Sequence, residues 1–313
     1  NLRRYYSVNQ KEPGLWGGVR SFFNRKYFDV KAVDGISFDI QAGELVGFIG
    51  PNGAGKTTTL KVLSGLLYPT AGSTHVLGFE PFKRHREFQM EISLVMGQKN
   101  QLWWDLPAMD TFILNKEIYQ ISDEKFKSNV RKLSDMLSVG DVLTTPVRKL
   151  SLGQRMKMEL VASLLHSPKV LFLDEPTIGL DVVAQQKMRD FIKGYNQEFG
   201  ATILLTSHYM TDVKELCKRI IIIDEGKIIY DGVLNKIINK FAPYKILKVD
   251  FEDVVDREKI KKLGIIEKYE GKFMEIRIRK GEVADKVARL LSEFAVADLT
   301  VEDPSIESVI REV

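Results

Sequence analysis

The stretch Val46–Leu60, "VGFIGPNGAGKTTTL", decides how the rest of the chain is read. Val46-Gly47-Phe48-Ile49 is short, apolar and followed by turn residues, which is the pattern of a buried strand. From Lys56 the apolar spacing becomes helical, with Leu60, Leu63 and Leu67 on one face. Between them lies Gly50-Pro51-Asn52-Gly53-Ala54-Gly55-Lys56-Thr57, a full match to the strand–GxxxxGK[ST]–helix phosphate loop. Glycines let successive N–H groups turn inward, and the helix N-terminus adds partial positive charge. Lys56 is suited to the β- and γ-phosphates of a nucleotide, and the Thr57 hydroxyl to Mg²⁺. The loop alone does not separate kinases, GTPases, motors and transporters.

Composition narrows the choice. At 313 residues, the chain has room for one large domain and a small one. Its net charge of +4 permits contact with an anionic membrane face but is too weak to argue for nucleic acid. A single cysteine, Cys217, excludes an internal disulfide, fits a reducing compartment and reads as a buried structural thiol. No zinc-type His/Cys cluster is visible. No apolar run approaches the roughly 20 residues that a membrane crossing requires, so any service to a membrane is expected from its surface.

Leu2 to Val8 is expected as an edge strand, and Ala32 to Ile40 as a half-buried strand turning at Gly43. The intervening "EPGLWGGVRSFFNRK", Glu12 to Lys26, reads either as a loop or as a short amphipathic helix from Val19. After the phosphate-loop helix the chain is expected to be largely helical, with Ser122 capping a helix whose Phe126, Val130, Leu133 and Leu137 share a face. Continuous apolar runs at Val170–Leu173, Thr202–Leu205 and Ile220–Ile223, separated by helices, point to a parallel sheet covered on both faces. A strand pair is expected around Asp224-Glu225-Gly226. Pro243 marks a boundary, beyond which strand 246–251, helix 256–263, strands 265–269 and 273–278, helix 282–294 and strand 296–301 follow the ferredoxin-like order.

Three further segments carry chemistry. "VLFLDEP", Val170 to Pro176, ends a buried strand in Asp174, placed to support Mg²⁺, and Glu175, placed to polarise a water. "RKLSLGQRMKMEL", Arg148 to Leu160, sets Ser151 and Gly153 just before a helix, a second N-terminus able to receive phosphate. "TSHYM" puts His208 directly after a strand, at the sheet end where α/β folds gather ligands.

Together, Gly50–Thr57, Gln98, Leu150–Gln154, Leu171–Pro176, Gly179–Asp181 and His208 resemble the ATP-binding-cassette (ABC) ATPases in order and approximate spacing. Within them, "LSLGQRMKMELVASLLHSPKVLFLDEPTIGLDV" is similar to the ATP-binding subunits of ABC-2-type exporters, nearest the multidrug, daunorubicin and viologen export branch. The resemblance implies an α/β phosphate-loop NTPase cassette, with a mostly parallel core sheet, an antiparallel β edge and a helical subdomain over about 99–165. Residues 1–27 would be an extension, 28–242 the cassette, and 243–313 a small α+β accessory domain.

By position, the resemblance implies that Gly50, Pro51, Asn52, Gly53, Ala54, Gly55, Lys56, Thr57 and Thr58 cradle ATP. Thr57, Gln98 and Asp174 would hold Mg²⁺. Glu175 would be the general base, with Gln98 and His208 at the water and γ-phosphate. Ser151, Gly153, Gln154 and Asp181 would act on ATP held by a second subunit. Tyr27 is the residue placed to stack on adenine, with Phe28 close behind, and a core aromatic is the alternative. The usual LSGGQ signature has Leu152 at its third position here, which puts its contribution in doubt. Trp103 and Trp104 suit either a groove for a membrane-subunit helix or the subdomain core.

The function implied is an ATPase that drives export through separate integral membrane permease subunits. It would act as a homodimer at the cytoplasmic face of the cell membrane, without nucleic acid. The alternatives are a soluble ABC protein acting on ribosomes or DNA and a cassette that gates without transporting.

Overall fold

Strand order in the main sheet follows from where the continuous apolar runs can be buried on both faces. The computed structural model describes residues 1–9, 27–97, 101–241, 243–304 and 308. The chain forms two compact units, Asn1–Gly232 and Val233–Val313.

In the first unit, β1 (Leu2–Asn9) pairs antiparallel with β2 (Tyr27–Ile36) as a separate two-stranded sheet. The strand expected over 32–40 starts earlier, at Tyr27, and ends at Ile36, which pairs with Leu2. Phe38 and Ile40 still pack on the core, so their alternation reflects burial rather than pairing. The Glu12–Lys26 stretch, Gln98 and the Tyr27 side chain lie outside the described residues.

The main sheet contains β3 (Leu45–Ile49), β4 (Ile92–Met96), β5 (Val170–Asp174), β6 (Thr202–Thr206), β7 (Arg219–Asp224) and β8 (Lys227–Val233), in the order β4-β5-β6-β3-β7-β8. The contacts β4–β5, β5–β6, β6–β3 and β3–β7 are all parallel. Every residue of β5 is buried, as a strand covered on both faces requires. Strand β4 departs from the helical expectation after the phosphate loop. Its apolar run, Ile92 to Met96, is broken by Ser93, and its partner, β5, lies far along the chain.

Helix α1 (Lys56–Leu63) starts at the phosphate loop, and α2 (Arg86–Gln89) leads into β4. Leu67 packs on the core from beyond α1, which stops at the Ser64 cap, so the expected helical stripe is shorter than its spacing implied. The helical part comprises α3 (Ala108–Ile118), α4 (Asp123–Leu137) and α5 (Leu152–Leu164). Ser122 caps α4 by accepting the Lys125 N–H, and Val130, Leu133 and Leu137 are buried along it. Helices α6 (Val182–Phe199) and α7 (Met210–Leu216) follow β5 and β6. Phe48, Leu60, Phe172, Leu204 and Ile221 belong to one buried cluster that fixes α1 against the sheet.

The second unit carries α8 (Leu234–Phe241) ahead of Pro243. Strands β9 (Tyr244–Phe251), β10 (Ile265–Glu270), β11 (Phe273–Arg279) and β12 (Val296–Glu302) form an antiparallel sheet ordered β10-β11-β9-β12, the expected ferredoxin-like arrangement. Helix α9 (Arg257–Ile260) is shorter than 256–263, with Asp256 as its N-cap, and α10 (Val283–Glu293) supplies the buried Leu290. Alternate residues of β9 and β11, including Leu247, Val249, Met274 and Ile276, bury one face of this sheet.

Candidate functional site

Parallel strands end where the chemistry begins. β3, β5 and β6 are neighbours, and the residues after them converge at the carboxyl edge of the sheet, the ligand-binding edge of open α/β folds. Gly50–Gly55 follows β3. Gly55 has φ +107°, and a Cβ there would lie 2.2 Å from the Ala32 carbonyl oxygen. A Cβ at Gly50 would lie 2.0 Å from the Ile223 carbonyl oxygen. The loop is thus wedged between β2 and β7, and only glycine fits at either point. Lys56 is buried and donates its Nζ to the carbonyls of Gly50 (2.7 Å) and Pro51 (3.0 Å), so its ammonium lies over the loop.

Thr57, at the start of α1, donates its hydroxyl to Asp174, with Oγ1 2.8 Å from Oδ2 and 3.1 Å from Oδ1. Thr206, at the end of β6, donates to Asp174 Oδ1 at 2.7 Å. One carboxylate therefore joins the ends of three segments. Thr57 and Asp174 together present hydroxyl and carboxylate oxygens, a hard donor set that fits Mg²⁺. Glu175 has φ +55°, a left-handed conformation that costs a non-glycine residue about 1–3 kcal/mol and persists only when surroundings hold it. Its N–H is held by the Thr206 carbonyl and hydroxyl. Its Oε1 lies 2.6 Å from His208 Nε2.

Ser151 caps α5 in a capping box. The Gln154 N–H donates to Ser151 Oγ, and the Ser151 N–H donates to Gln154 Oε1. Gly153 consequently sits inside the first turn of α5, not ahead of it as expected. Asp181 caps α6 by accepting the Ala184 N–H at 2.8 Å. The two helix starts border an open groove of about 520 Å³ lined by Ser151, Gly153, Gln154, Lys157, Asp181 and Lys187. Lys157 is only 8 % exposed, and desolvation followed by Lys187 lowers its pKa, with Asp181 opposing. Two helix N-termini and two lysines give this groove positive potential, against which the Asp181 carboxylate acts. Leu152 lines it too. Its Cδ2 lies 3.1 Å from where a Cβ on Gly179 would be, so Gly179 provides the room that this departure from the usual signature needs.

Trp103 and Trp104 are 52 % and 48 % exposed, which removes the core-filling alternative. The Arg155 guanidinium of α5 stands 5.6 Å from the Trp104 ring centroid, and the Trp104 carbonyl accepts the Arg148 N–H. Ile113, Leu114 and Ile118 on α3 are also exposed. Phe28 is exposed as well, and Tyr27 opens β2 with its backbone opposite Asn9. Cys217 is buried, its thiol pushed up by burial, in keeping with a structural role.

The structure brings together Gly50–Thr57, Asp174, Glu175 and His208, and separately Ser151, Gly153, Gln154 and Asp181. Sequence reasoning missed Thr206, Lys157 and Lys187. The two lysines were findable by helical spacing, since each follows a groove residue (Gly153 or Val183) by four positions. Thr206 had only its place at a strand end.

A family model described as ABC transporter matches residues 33–178, and one described as EvrA-like ABC transporter, C-terminal domain, matches 243–302. The ABC transporter ATP-binding protein NatA of Bacillus subtilis (strain 168) is 34 % identical over 215 residues, 69 % of this chain and 87 % of that protein. The daunorubicin resistance ATP-binding protein DrrA3 of Streptomyces coeruleorubidus is 33 % identical over 213 residues, 68 % of this chain and 67 % of that protein. A solved dimer of an ATP-binding cassette in a post-hydrolysis state bound to ADP and Pi superposes with TM-score 0.62 at 22 % identity, covering 75 % of this chain and 97 % of that one. The last likeness concerns the fold.

Proposed function

The chain belongs to the ATP-binding proteins of the ABC transporter family, and from that premise we propose that it is the ATP-hydrolysing subunit of an ABC-2-type exporter. One observation carries the reading. Thr57 is bonded to both oxygens of Asp174, and the next residue, Glu175, is bonded to His208. A metal-supporting pair thus adjoins a base-and-histidine pair at the mouth of a phosphate loop.

In this reading Gly50–Thr58 bind the triphosphate through backbone N–H groups, and Lys56 turns its ammonium from the loop carbonyls to the β- and γ-phosphates. Thr57 and Asp174, joined by Gln98, hold Mg²⁺, which when bound neutralises phosphate charge. Glu175 accepts the proton of the attacking water. His208 holds that carboxylate in line and faces the γ-phosphate. Tyr27 stacks on adenine.

Ser151, Gly153, Gln154 and Asp181 face the ATP held by a second copy of the chain, and the cationic groove supports that assignment. Closure of two copies around ATP excludes water from the reacting phosphate, and reopening after hydrolysis delivers a rigid-body stroke. The exposed Trp103 and Trp104 serve as anchors for a helix of a separate membrane permease, with the subunit lying on the cytoplasmic face of the membrane. No described helix is long and apolar enough to cross a membrane. The Nod factor export ATP-binding protein I of Burkholderia pseudomallei (strain 1710b), 35 % identical over 231 residues, is named for export, which supports that direction of transport. Residues 28–242 do this work, and residues 243–313 stabilise it.

The test is Glu175→Gln in the purified chain. ATP binding should persist while turnover falls by about 10²-fold or more, and a closed dimer should accumulate in light scattering at saturating ATP. Near-normal hydrolysis, or a monomer at every ATP concentration, would overturn the reading.

A further inference from the structure

Asp212 on α7 is 0 % exposed and touches neither Glu175 nor His208 in any hydrogen bond the structure shows. A carboxylate at that depth persists only if its oxygens are fully engaged. Its Oδ2 accepts the Thr177 hydroxyl at 2.5 Å and the Ser207 hydroxyl at 2.7 Å, and its Oδ1 accepts Arg189 Nη1 at 2.9 Å. Arg189, on α6 and only 4 % exposed, also donates to Glu215 at 3.1 Å and to Gln186 at 2.7 Å.

The partners identify the purpose. Thr177 is two residues beyond Glu175 in the loop after β5. Ser207 immediately precedes His208 in the loop after β6, and its hydroxyl oxygen also accepts the Tyr209 N–H at 3.0 Å. Arg189 belongs to the helix that Asp181 caps at the groove. One buried carboxylate therefore binds the loop of the base, the loop of the histidine and the helix bordering the groove. Glu175 needs such support, because its left-handed backbone does not hold itself.

We infer that Asp212, anchored by Arg189, is a positioning residue that sets the Glu175–His208 contact by tying Thr177 and Ser207 to one point. The inference rests on the proposed roles of Glu175 and His208. A purely structural ion pair would behave differently: a well-packed apolar pair can replace it without loss of stability. The tether needs acceptor oxygens that no apolar pair supplies.

Two variants separate these readings, each scored by Tm, ATP affinity, KM and kcat, with Glu175→Gln as reference. In Asp212→Asn, kcat should fall about 10- to 100-fold, the scale of a catalytic group displaced by an ångström or less, while ATP affinity stays within about threefold because the phosphate loop is untouched. In the double variant Arg189→Met with Asp212→Leu, Tm should return towards that of the parent while kcat stays low. Recovery of kcat along with Tm, or an Asp212→Asn kcat within twofold of the parent, overturns the tether. If Glu175→Gln hydrolyses ATP like the parent, the site assignment falls and the tether with it. If Glu175→Gln is inactive and the double variant is fully active, only the tether falls.

Discussion

Glu159 lies two turns into α5 and is 1 % exposed. Its Oε1 accepts the Gln101 N–H at 3.4 Å, while Oε2 has no hydrogen-bond partner among the described residues. Burial pushes its carboxyl up to about 7 from 4.5, with the Gln101 N–H and the Arg155 charge opposing. Between those values the folded chain holds a proton that the unfolded chain has released, so stability falls as pH rises through this window. The deficit is complete above pH 7 and absent below 4.5, where both states are protonated. The raise alone corresponds to about 3 kcal/mol, and solvent screening brings it nearer to ~2 kcal/mol. Glu159→Gln keeps an acceptor for Gln101 and removes the ionisable group. Thermal melts at matched ionic strength should show a Tm gain of about 4–8 °C at pH 8 for a unit of this size. About a quarter of the free-energy gain should remain at pH 5. An equal gain at both pH values, or a loss at pH 8, would refute a buried, under-bonded carboxylate at this position.

Other outcomes follow from the same geometry. Gly50→Ala puts a methyl group 2.0 Å from the Ile223 carbonyl oxygen and should abolish ATP binding by titration calorimetry, even in preparations that retain the parent's far-UV spectrum. Ser151→Ala removes the α5 cap, which should cost about 1 kcal/mol in denaturant unfolding and lower ATP turnover with ATP affinity unchanged in the isolated monomer. His208→Ala breaks the 2.6 Å contact with Glu175, so kcat should drop by about 10²-fold with little change in ATP affinity under single-turnover conditions. Trp103→Ala with Trp104→Ala should reduce recovery of integral membrane proteins in a detergent pull-down, the direct measure of the anchoring role given to their exposed rings.

What could be read from the amino-acid order alone is what neighbouring residues decide among themselves. The phosphate loop is encoded by glycines whose left-handed or crowded backbone positions exclude other residues, and the start of α5 by the Ser151 cap. The alternating strands of the second unit and the continuous apolar runs of the first were legible because side-chain period follows backbone geometry over a few residues. Tertiary structure decided the rest. Asp174 meets Thr57 across 117 residues and Thr206 across 32, contacts that exist because β5, β6 and β3 lie side by side. The groove forms only where the starts of α5 and α6 converge, and β2 ends at Ile36, opposite Leu2, although its alternation runs on to Ile40. Local dihedral preferences and capping act within a turn or two of chain. Strand order, burial and shared carboxylates depend on which distant surfaces exclude water together, and no short window of sequence contains that information.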